Sequence, residues 1–248
     1  MDKLQPSFSV ITVTFNAESC LEGTIQSVQE QTYPNLEYIV IDGGSKDGTS
    51  QIILQYKDFI TTWISEPDQG LYDAMNKGMK YATGDYLCFL NAGDQFYDSR
   101  TLQKMVDSLD GMSELPDVLY GHTALVDGNG KFLRMRRLEP PEHLSWKSFK
   151  QGMLVCHQAF FAKRTIAVDY DLQYRFSADQ DWCIRIMKKA NVLHNTHQTL
   201  IRYVSEGMST KNRKASLKER FAIMVKHYGW FSTILHHFWF VLRAIIKK

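Results

Sequence analysis

Two carboxylates stand where an apolar run gives way to small polar residues. Tyr86 to Leu90 are mostly apolar, and the chain then turns polar at Asn91-Ala92-Gly93-Asp94. Glu37 to Ile41 ends the same way, at Asp42 followed by Gly43-Gly44-Ser45. An Asp carboxylate is the hard oxygen ligand that Mg2+ or Mn2+ prefers, and such a cation normally bridges ligand phosphates because Mg2+ seldom receives an all-protein cage. These residue types suit a metal-held diphosphate. Each Asp also has a simpler use: Asp42 can cap the turn or helix that follows it, and Asp94 can cap a segment starting near Asp98. Gly43 and Gly44 permit positive φ and close backbone approach, which serves a ligand as well as a turn. Neither a GxxxxGK[ST] nor a GxGxxG sequence is present, so P-loop and NAD readings have no specific support.

The elements that must position these residues alternate in type. Phe8 to Thr14 is β-branched and alternating, which predicts a strand. Leu21, Ile25 and Val28 recur at helical spacing, with Asn16 as a candidate cap and Glu18 near the positive end of the helix dipole. The strand at Glu37 to Ile41 precedes a helix carrying Ile52, Ile53 and Tyr56, then a short strand at Thr61 to Ile64. A helix from about Leu71 to Ala82 leads into the strand at Tyr86. Strand–helix alternation with short connections predicts a parallel sheet with helices on both faces. Ligands of such sheets sit beyond the carboxyl ends of the strands, where Asp42 and Asp94 both fall. After Arg100 the pattern loosens. It predicts a helix at Leu102 to Leu109, a short strand at Val118 to Tyr120, and a hairpin from Ala124 to Leu133 around Asp127-Gly128-Asn129-Gly130. A strand at His157 to Phe161 and a helix at Asp181 to Lys189 follow.

With 44% hydrophobic and 23% charged residues, the chain is expected to fold rather than stay disordered. Its net charge of +2 hides an asymmetry: residues 1–100 hold six Lys/Arg against fourteen Asp/Glu, and the remainder twenty-three against thirteen. The first part is acidic enough to favour cations and the second basic enough to favour anions or an anionic surface. The cysteines at 20, 88, 156 and 183 form no CxxC pair and read as reduced core residues of a cytoplasmic protein. The N-terminal residues do not resemble a signal peptide, so secretion is not expected, and no apolar run reaches ~18 residues.

TVTFNAESCLEGTIQSV, EYIVIDGGSKDGT, EPDQGLYDAMNKGMKYATGDYLCFLNAGD, HQAFF and FSADQDWCIR, in that order and spacing, resemble glycosyltransferase family 2 over about residues 7 to 210. More narrowly they resemble bacterial exopolysaccharide enzymes of the colanic-acid type. The resemblance implies an α/β GT-A fold with a mostly parallel, Rossmann-like sheet flanked by helices. It implies a nucleotide-sugar donor (a UDP- or GDP-sugar), a divalent cation (Mn2+ or Mg2+) and no nucleic-acid partner. It places Thr14 and Asn16 near the nucleotide, Asp42 on its base or ribose, and Asp73, Asn76 and Lys77 on the helix lining the donor pocket, with Lys77 on the diphosphate. Asp94 matches the last aspartate of the family's DxD-like metal element, although Asn91 and Gly93 stand where aspartates often do. Asp179 falls on the usual catalytic-base position, with Ala178 in place of the usual Glu and Asp181 as a rival. The alternative for this pair is that Asp179 caps the helix while Asp181 pairs with Arg185. His157 becomes a candidate acceptor-binding residue, against the ordinary fate of a core histidine. The Ser205-Glu206-Gly207-Met208-Ser209 segment resembles a loop near the active site.

The expected organisation is a transferase domain over 1–210, with a nucleotide-sugar half to 100 and an acceptor half from 101, followed by a basic tail over 211–248. In the tail, Phe231, Ile234 or Leu235, Phe238, Val241 or Leu242 and Ile245 keep a helical stripe, beside Trp230, Trp239, Lys247 and Lys248. That pattern predicts a helix lying on the inner face of the cytoplasmic membrane, where a lipid-linked saccharide acceptor would be met. Packing on the domain or in a dimer is the alternative. The chemistry expected is inverting transfer of a sugar to that acceptor in surface polysaccharide biosynthesis. A catalytically dead sugar-binding scaffold and a nucleotidyltransferase are the other classes. The second would usually show a glycine-rich basic loop where Asn16-Ala17-Glu18-Ser19 stands.

Overall fold

The computed structural model describes residues 3–204 and 212–246, with side chains as far as 240. The Ser205–Ser209 segment, Lys247 and Lys248 lie outside the described residues. So do the side chains of Val241, Leu242 and Ile245.

β1 (Phe8–Thr14) is buried at all its positions, as suits a β-branched run covered on both faces. α1 (Leu21–Gln29) leads to β2 (Leu36–Asp42), which pairs with β1 in parallel from Phe8↔Leu36 to Thr14↔Asp42. α2 (Thr49–Gln55) and β3 (Thr62–Ser65) extend the sheet beyond β2. α3 (Leu71–Tyr81) then crosses back so that β4 (Tyr86–Phe89) pairs with the other side of β1. The order β3-β2-β1-β4 therefore reverses its direction of growth between β1 and β4. At such a switch point the loops leaving the two strands part and leave a crevice. α3 lies close on this sheet because Gly78 has no side chain: a Cβ there would come 2.5 Å from Ile11 Cγ2 and 3.3 Å from Ile41 Cγ1.

The second half comprises β5 (Gln95–Phe96), α4 (Thr101–Asp107), β6 (Val118–Val126), β7 (Phe132–Met135), β8 (Phe160–Lys163), α5 (Ala178–Met187) and β9 (Leu193–Val204). Two C-terminal helices follow, α6 (Arg213–Tyr228) and α7 (Trp230–Ile246). The sheet continues past β4 as β8-β6-β9-β5, with β7 beside β6. β8 is antiparallel to both β4 and β6, while β6 and β9 run parallel.

Several local expectations change. α1 begins at Leu21, so Asn16 does not cap it. Asn16 takes a left-handed φ of 48° and its Oδ1 accepts the Lys46 N–H at 2.9 Å, tying the loop after β1 to the loop after β2. Glu18 serves α2 instead of α1, accepting the Gly48 N–H at 2.6 Å. His157–Ala159 form a 3-10 turn, and the strand starts only at Phe160. The short strand expected at Val118 runs to Val126 as one arm of the hairpin with β7. Cys20 is exposed, unlike the other three cysteines. The twelve-residue β9 has no counterpart in the sequence expectations.

α6 is fastened to α5 by charge. Asp181, with no exposed surface, receives Arg185 Nε at 2.6 Å, His227 Nε2 at 2.8 Å and Lys226 Nζ at 3.1 Å. Burial pushes the Asp181 carboxyl up, but the hydrogen bond from His227, the charge of Arg185 and the contact with Lys226 outweigh it and hold the pKa down at about 2. A carboxyl depressed on folding adds stability that is complete above its unfolded value and fades as pH falls through the folded one. Asp181→Asn is therefore expected to cost roughly 2–3 kcal/mol at neutral pH. It should also flatten the loss of stability between about pH 4 and pH 2, read from urea titrations of both proteins across that range.

Candidate active site

At the switch point, the turn after β4 folds Asp94 back into the protein. Gly93 takes φ 100°, which glycine adopts without strain, and the Asp94 N–H closes the turn on the Asn91 carbonyl at 2.9 Å. Asp94 is consequently 5% exposed and does not project into solvent. Its Oδ2 accepts Gln158 Nε2 at 2.8 Å and its Oδ1 accepts the Val204 N–H at 3.3 Å. Burial pushes its pKa up to about 7, against the opposing pull of Gln158, the His157 charge and the Val204 N–H. Beside it, Asn91 Oδ1 and the Thr14 hydroxyl are buried with no partner among the described residues.

Asp179 and Asp181 share the first turn of α5 but diverge, as positions i and i+2 of a helix must. Asp181 is consumed by Arg185 and α6, so as a rival base it has no oxygen to offer an acceptor. Asp179 faces α3 and the 3-10 turn: Oδ1 accepts the Tyr72 hydroxyl at 3.1 Å and Oδ2 meets His157 Nδ1 at 3.2 Å. Burial would raise its pKa, but His157, through hydrogen bond and charge, then Arg220 and Tyr72, hold it below the usual carboxylate range. His157 is 7% exposed and its Nε2 has no partner among the described residues.

The expected donor-side residues spread more widely. Asp42 is fully buried at the end of β2, next in register to Thr14, and its carboxylate is occupied by the Ser45 N–H and hydroxyl and by the Ser65 hydroxyl. It holds the turn after β2, the capping role open to it from the start. Asp73 accepts the Gln69 N–H at 3.0 Å at the head of α3. Lys77 reaches the Pro67 carbonyl at 2.9 Å and Glu66 at 2.8 Å, so its ammonium serves the loop before α3. Asn76 clamps the Tyr170 peptide from both sides, at 2.7 Å and 3.0 Å. Both ends of its amide are thus engaged by the Tyr170 backbone. Tyr170 in turn stacks between Tyr72 and Trp182, with ring centres at 5.3 Å and 4.9 Å. The Asn76 clamp thereby sets the aromatic column that aims the Tyr72 hydroxyl.

Tyr72 and Gln158 escaped the sequence reading although both lie inside the quoted motifs. A tyrosine after Gly70-Leu71 and a glutamine before Ala159 look like helix and strand filler until the fold brings each to a carboxylate. Trp182 and Tyr174 are buried, and Trp146 stacks on Tyr228 at 5.6 Å.

The sequence model of glycosyl transferase family 2 matches residues 9–171. An uncharacterized glycosyltransferase of Mycobacterium tuberculosis is 36% identical over 185 residues, spanning 73% of this chain and 68% of its own length. The amylovoran biosynthesis glycosyltransferase AmsB of Erwinia amylovora is 29% identical over 194 residues, spanning 73% of this chain and 64% of its own. Among solved structures, S. aureus TarS residues 1–349 in complex with UDP superposes with a TM-score of 0.69 at 17% identity, covering 88% of this chain and 65% of that one. The mannosyltransferase PcManGT from Pyrobaculum calidifontis, in complex with GDP-Man and Mn2+, superposes with a TM-score of 0.64 at 17% identity, covering 90% of this chain and 65% of its own. The shared architecture is the GT-A fold, and the sequence matches go further: the chain belongs to glycosyl transferase family 2.

Proposed function

We propose that the protein transfers a sugar, with inversion, from a UDP- or GDP-sugar to a lipid-linked saccharide in the biosynthesis of a surface polysaccharide. The observation that carries this reading is the convergence of Asp94 and Asp179 on one 3-10 turn, where Gln158 holds the first and His157 the second. Two carboxyls, Asp94 buried and Asp179 partly so, with pKa values driven in opposite directions suit two roles. Asp179 is ionised at neutral pH and accepts the proton of the acceptor hydroxyl. That oxygen attacks the anomeric carbon from the face opposite the nucleotide as the carbon–oxygen bond to the diphosphate breaks. A single displacement inverts the configuration without a covalent enzyme intermediate. Relatives and neighbours support the class, since their names and ligands include an exopolysaccharide enzyme, UDP and GDP-Man.

A divalent cation fits Asp94 with one condition. Among the described residues no three His, Cys, Asp or Glu side chains gather at one point, so ligand phosphates must supply most of the coordination. The unpartnered Asn91 Oδ1 lies in the same turn as Asp94 and is a second oxygen for such a cation. When bound, Mn2+ or Mg2+ would offset charge developing on the leaving diphosphate. The protein's own part is to keep Asp94 dry and oriented through Gln158 and the Val204 N–H.

In the proposed organisation, residues 1–100 hold the nucleotide sugar, 101–210 meet the acceptor, and 211–248 reach the membrane. No helix among the described residues is long and apolar enough to cross a bilayer. α7 exposes Trp230, Phe231, Ile234, Leu235, Phe238 and Trp239 along one stripe, which suits a helix lying in the inner face of the cytoplasmic membrane, close to a lipid-linked acceptor.

Three measurements test this reading. Asp179→Asn should keep donor binding and lower turnover by about 10²–10⁴-fold, the usual worth of a general base; normal turnover would remove Asp179 from the mechanism. In thermal-shift titrations, UDP or GDP should raise the melting point of the wild type much more with Mn2+ than without it. Asp94→Ala should lose that dependence, and a flat response to both nucleotides would favour a non-catalytic domain. In co-sedimentation with vesicles containing anionic lipid, the full chain should pellet, and the double variant Phe231→Glu, Phe238→Glu should stay in the supernatant. Equal pelleting of the two would exclude α7 as the anchor.

A further inference from the structure

α6 turns one face toward α5, and that face can be followed residue by residue. The Ser216 hydroxyl meets that of Ser177 at 3.0 Å. Glu219 accepts the Arg175 and Phe176 N–H groups at 2.9 Å and 2.8 Å. Ile223 is fully buried, and His227 reaches Asp181. Arg220 lies one turn after Ser216 and three residues before Ile223, so it rises from the same strip. The segment held by Ser216 and Glu219, Arg175 to Ser177, runs directly into Asp179, which brings Arg220 to the first turn of α5. Its charge is among those that hold the Asp179 carboxyl down.

What separates Arg220 from the other cations of this joint is that its donors are unspent. Arg185 and Lys226 are both paired with Asp181. Arg220 has neither an ion pair nor a hydrogen bond among the described residues. His157, whose Nδ1 binds the other side of the same story at Asp179, likewise has a buried Nε2 with no partner there. Open donors on both sides of Asp179 are what a bound anion would use.

We propose that Arg220 binds a phosphate group of the substrates, so that the C-terminal helix α6 completes the active site. The assignment rests on the sugar-transfer reading above. The guanidinium presents parallel N–H donors that match two oxygens of one phosphate. A cation is needed here because an ionised Asp179 repels a diphosphate brought near it, and in a partly dry crevice that repulsion is much larger than in water. Under the sugar-transfer reading the donor carries this chemistry as a nucleoside diphosphate, and a lipid-linked acceptor carries it where the link is a diphosphate.

The test uses the full chain as wild type, Arg220→Gln and Arg220→Lys, each titrated with UDP and GDP in the presence of Mn2+ and, separately, with geranyl diphosphate. Free-protein melting points are compared first, and Arg220→Lys keeps the charge should Arg220→Gln melt early. Losing a charge-assisted pair of hydrogen bonds should weaken binding by about 10–100-fold in Arg220→Gln. Arg220→Lys should fall between it and the wild type, and KM for the matching substrate should rise more than kcat falls. Loss confined to the nucleotides places Arg220 on the donor, and loss confined to geranyl diphosphate places it on the acceptor. If all probes bind the three proteins alike, the assignment is overturned while sugar transfer stands. If no probe binds even the wild type, the transfer reading falls and the assignment with it.

Discussion

One short turn governs both carboxylates. His157 and Gln158 are consecutive residues, so their spacing is fixed by a single peptide unit, yet one grips Asp179 and the other Asp94. Asp94 is the more buried of the two, but desolvation pushes both toward the neutral form. They part because the gripping groups differ. His157 acts on both, but it reaches Asp179 through a direct hydrogen bond as well as through charge, together with Arg220 and the Tyr72 hydroxyl, whereas Asp94 has direct hydrogen bonds only from a neutral amide and a backbone N–H. The amide itself is oriented from behind, since the Cys156 thiol meets Gln158 Oε1 at 2.7 Å. Any shift of this turn moves both sides of the crevice together.

The rest of the fold supplies walls for that turn. β8, which the turn enters, is antiparallel to β4, so the end of β4 and the start of β8 lie at the same margin of the sheet. α3 is drawn close to β1 and β2 at Gly78 and carries both Tyr72 and the Asn76 clamp. Tyr170 and Trp182 transmit the position of α3 to α5 by stacked rings instead of by the sheet. Asp179 is therefore located by packing from three directions, and its neighbour two positions on, Asp181, is spent holding the helix in place.

Sequence pattern reached the parallel half almost element by element because β1, β2 and β4 are buried on both faces and read as unbroken apolar runs. It failed at β9, where buried Asn195 and Thr196 interrupt the hydrophobic signal while hydrogen bonds to β6 and β5 make the strand. At the site, the motif residues Asp94, Asp179 and His157 were visible, but their surroundings were not. Nothing local to Asn91-Ala92-Gly93-Asp94 reveals that a glycine turn folds the acid inward to residues 64 and 110 positions away. Asn76 and Lys77 looked alike as polar residues of one helix, although one clamps Tyr170 and the other serves the loop before α3. Arg220 carried no motif at all, and only the docking of α6 brings it near Asp179.

The order in which these contacts occur along the chain has a consequence for synthesis. Asp94 depends on partners translated long after it, Gln158 and Val204, whereas Asp179 finds Tyr72 and His157 already made and gains only the charge of Arg220 later. The parallel strands have their pairing partners as soon as β4 leaves the ribosome, but the crevice they border then lacks the groups that tune it. The candidate site is completed last, by the same stretch of chain that ends in the apolar stripe of α7. A nascent chain thus carries its first parallel strands before it carries the groups that surround Asp94 and Asp179, and the last of those groups arrive just ahead of the apolar stripe of α7.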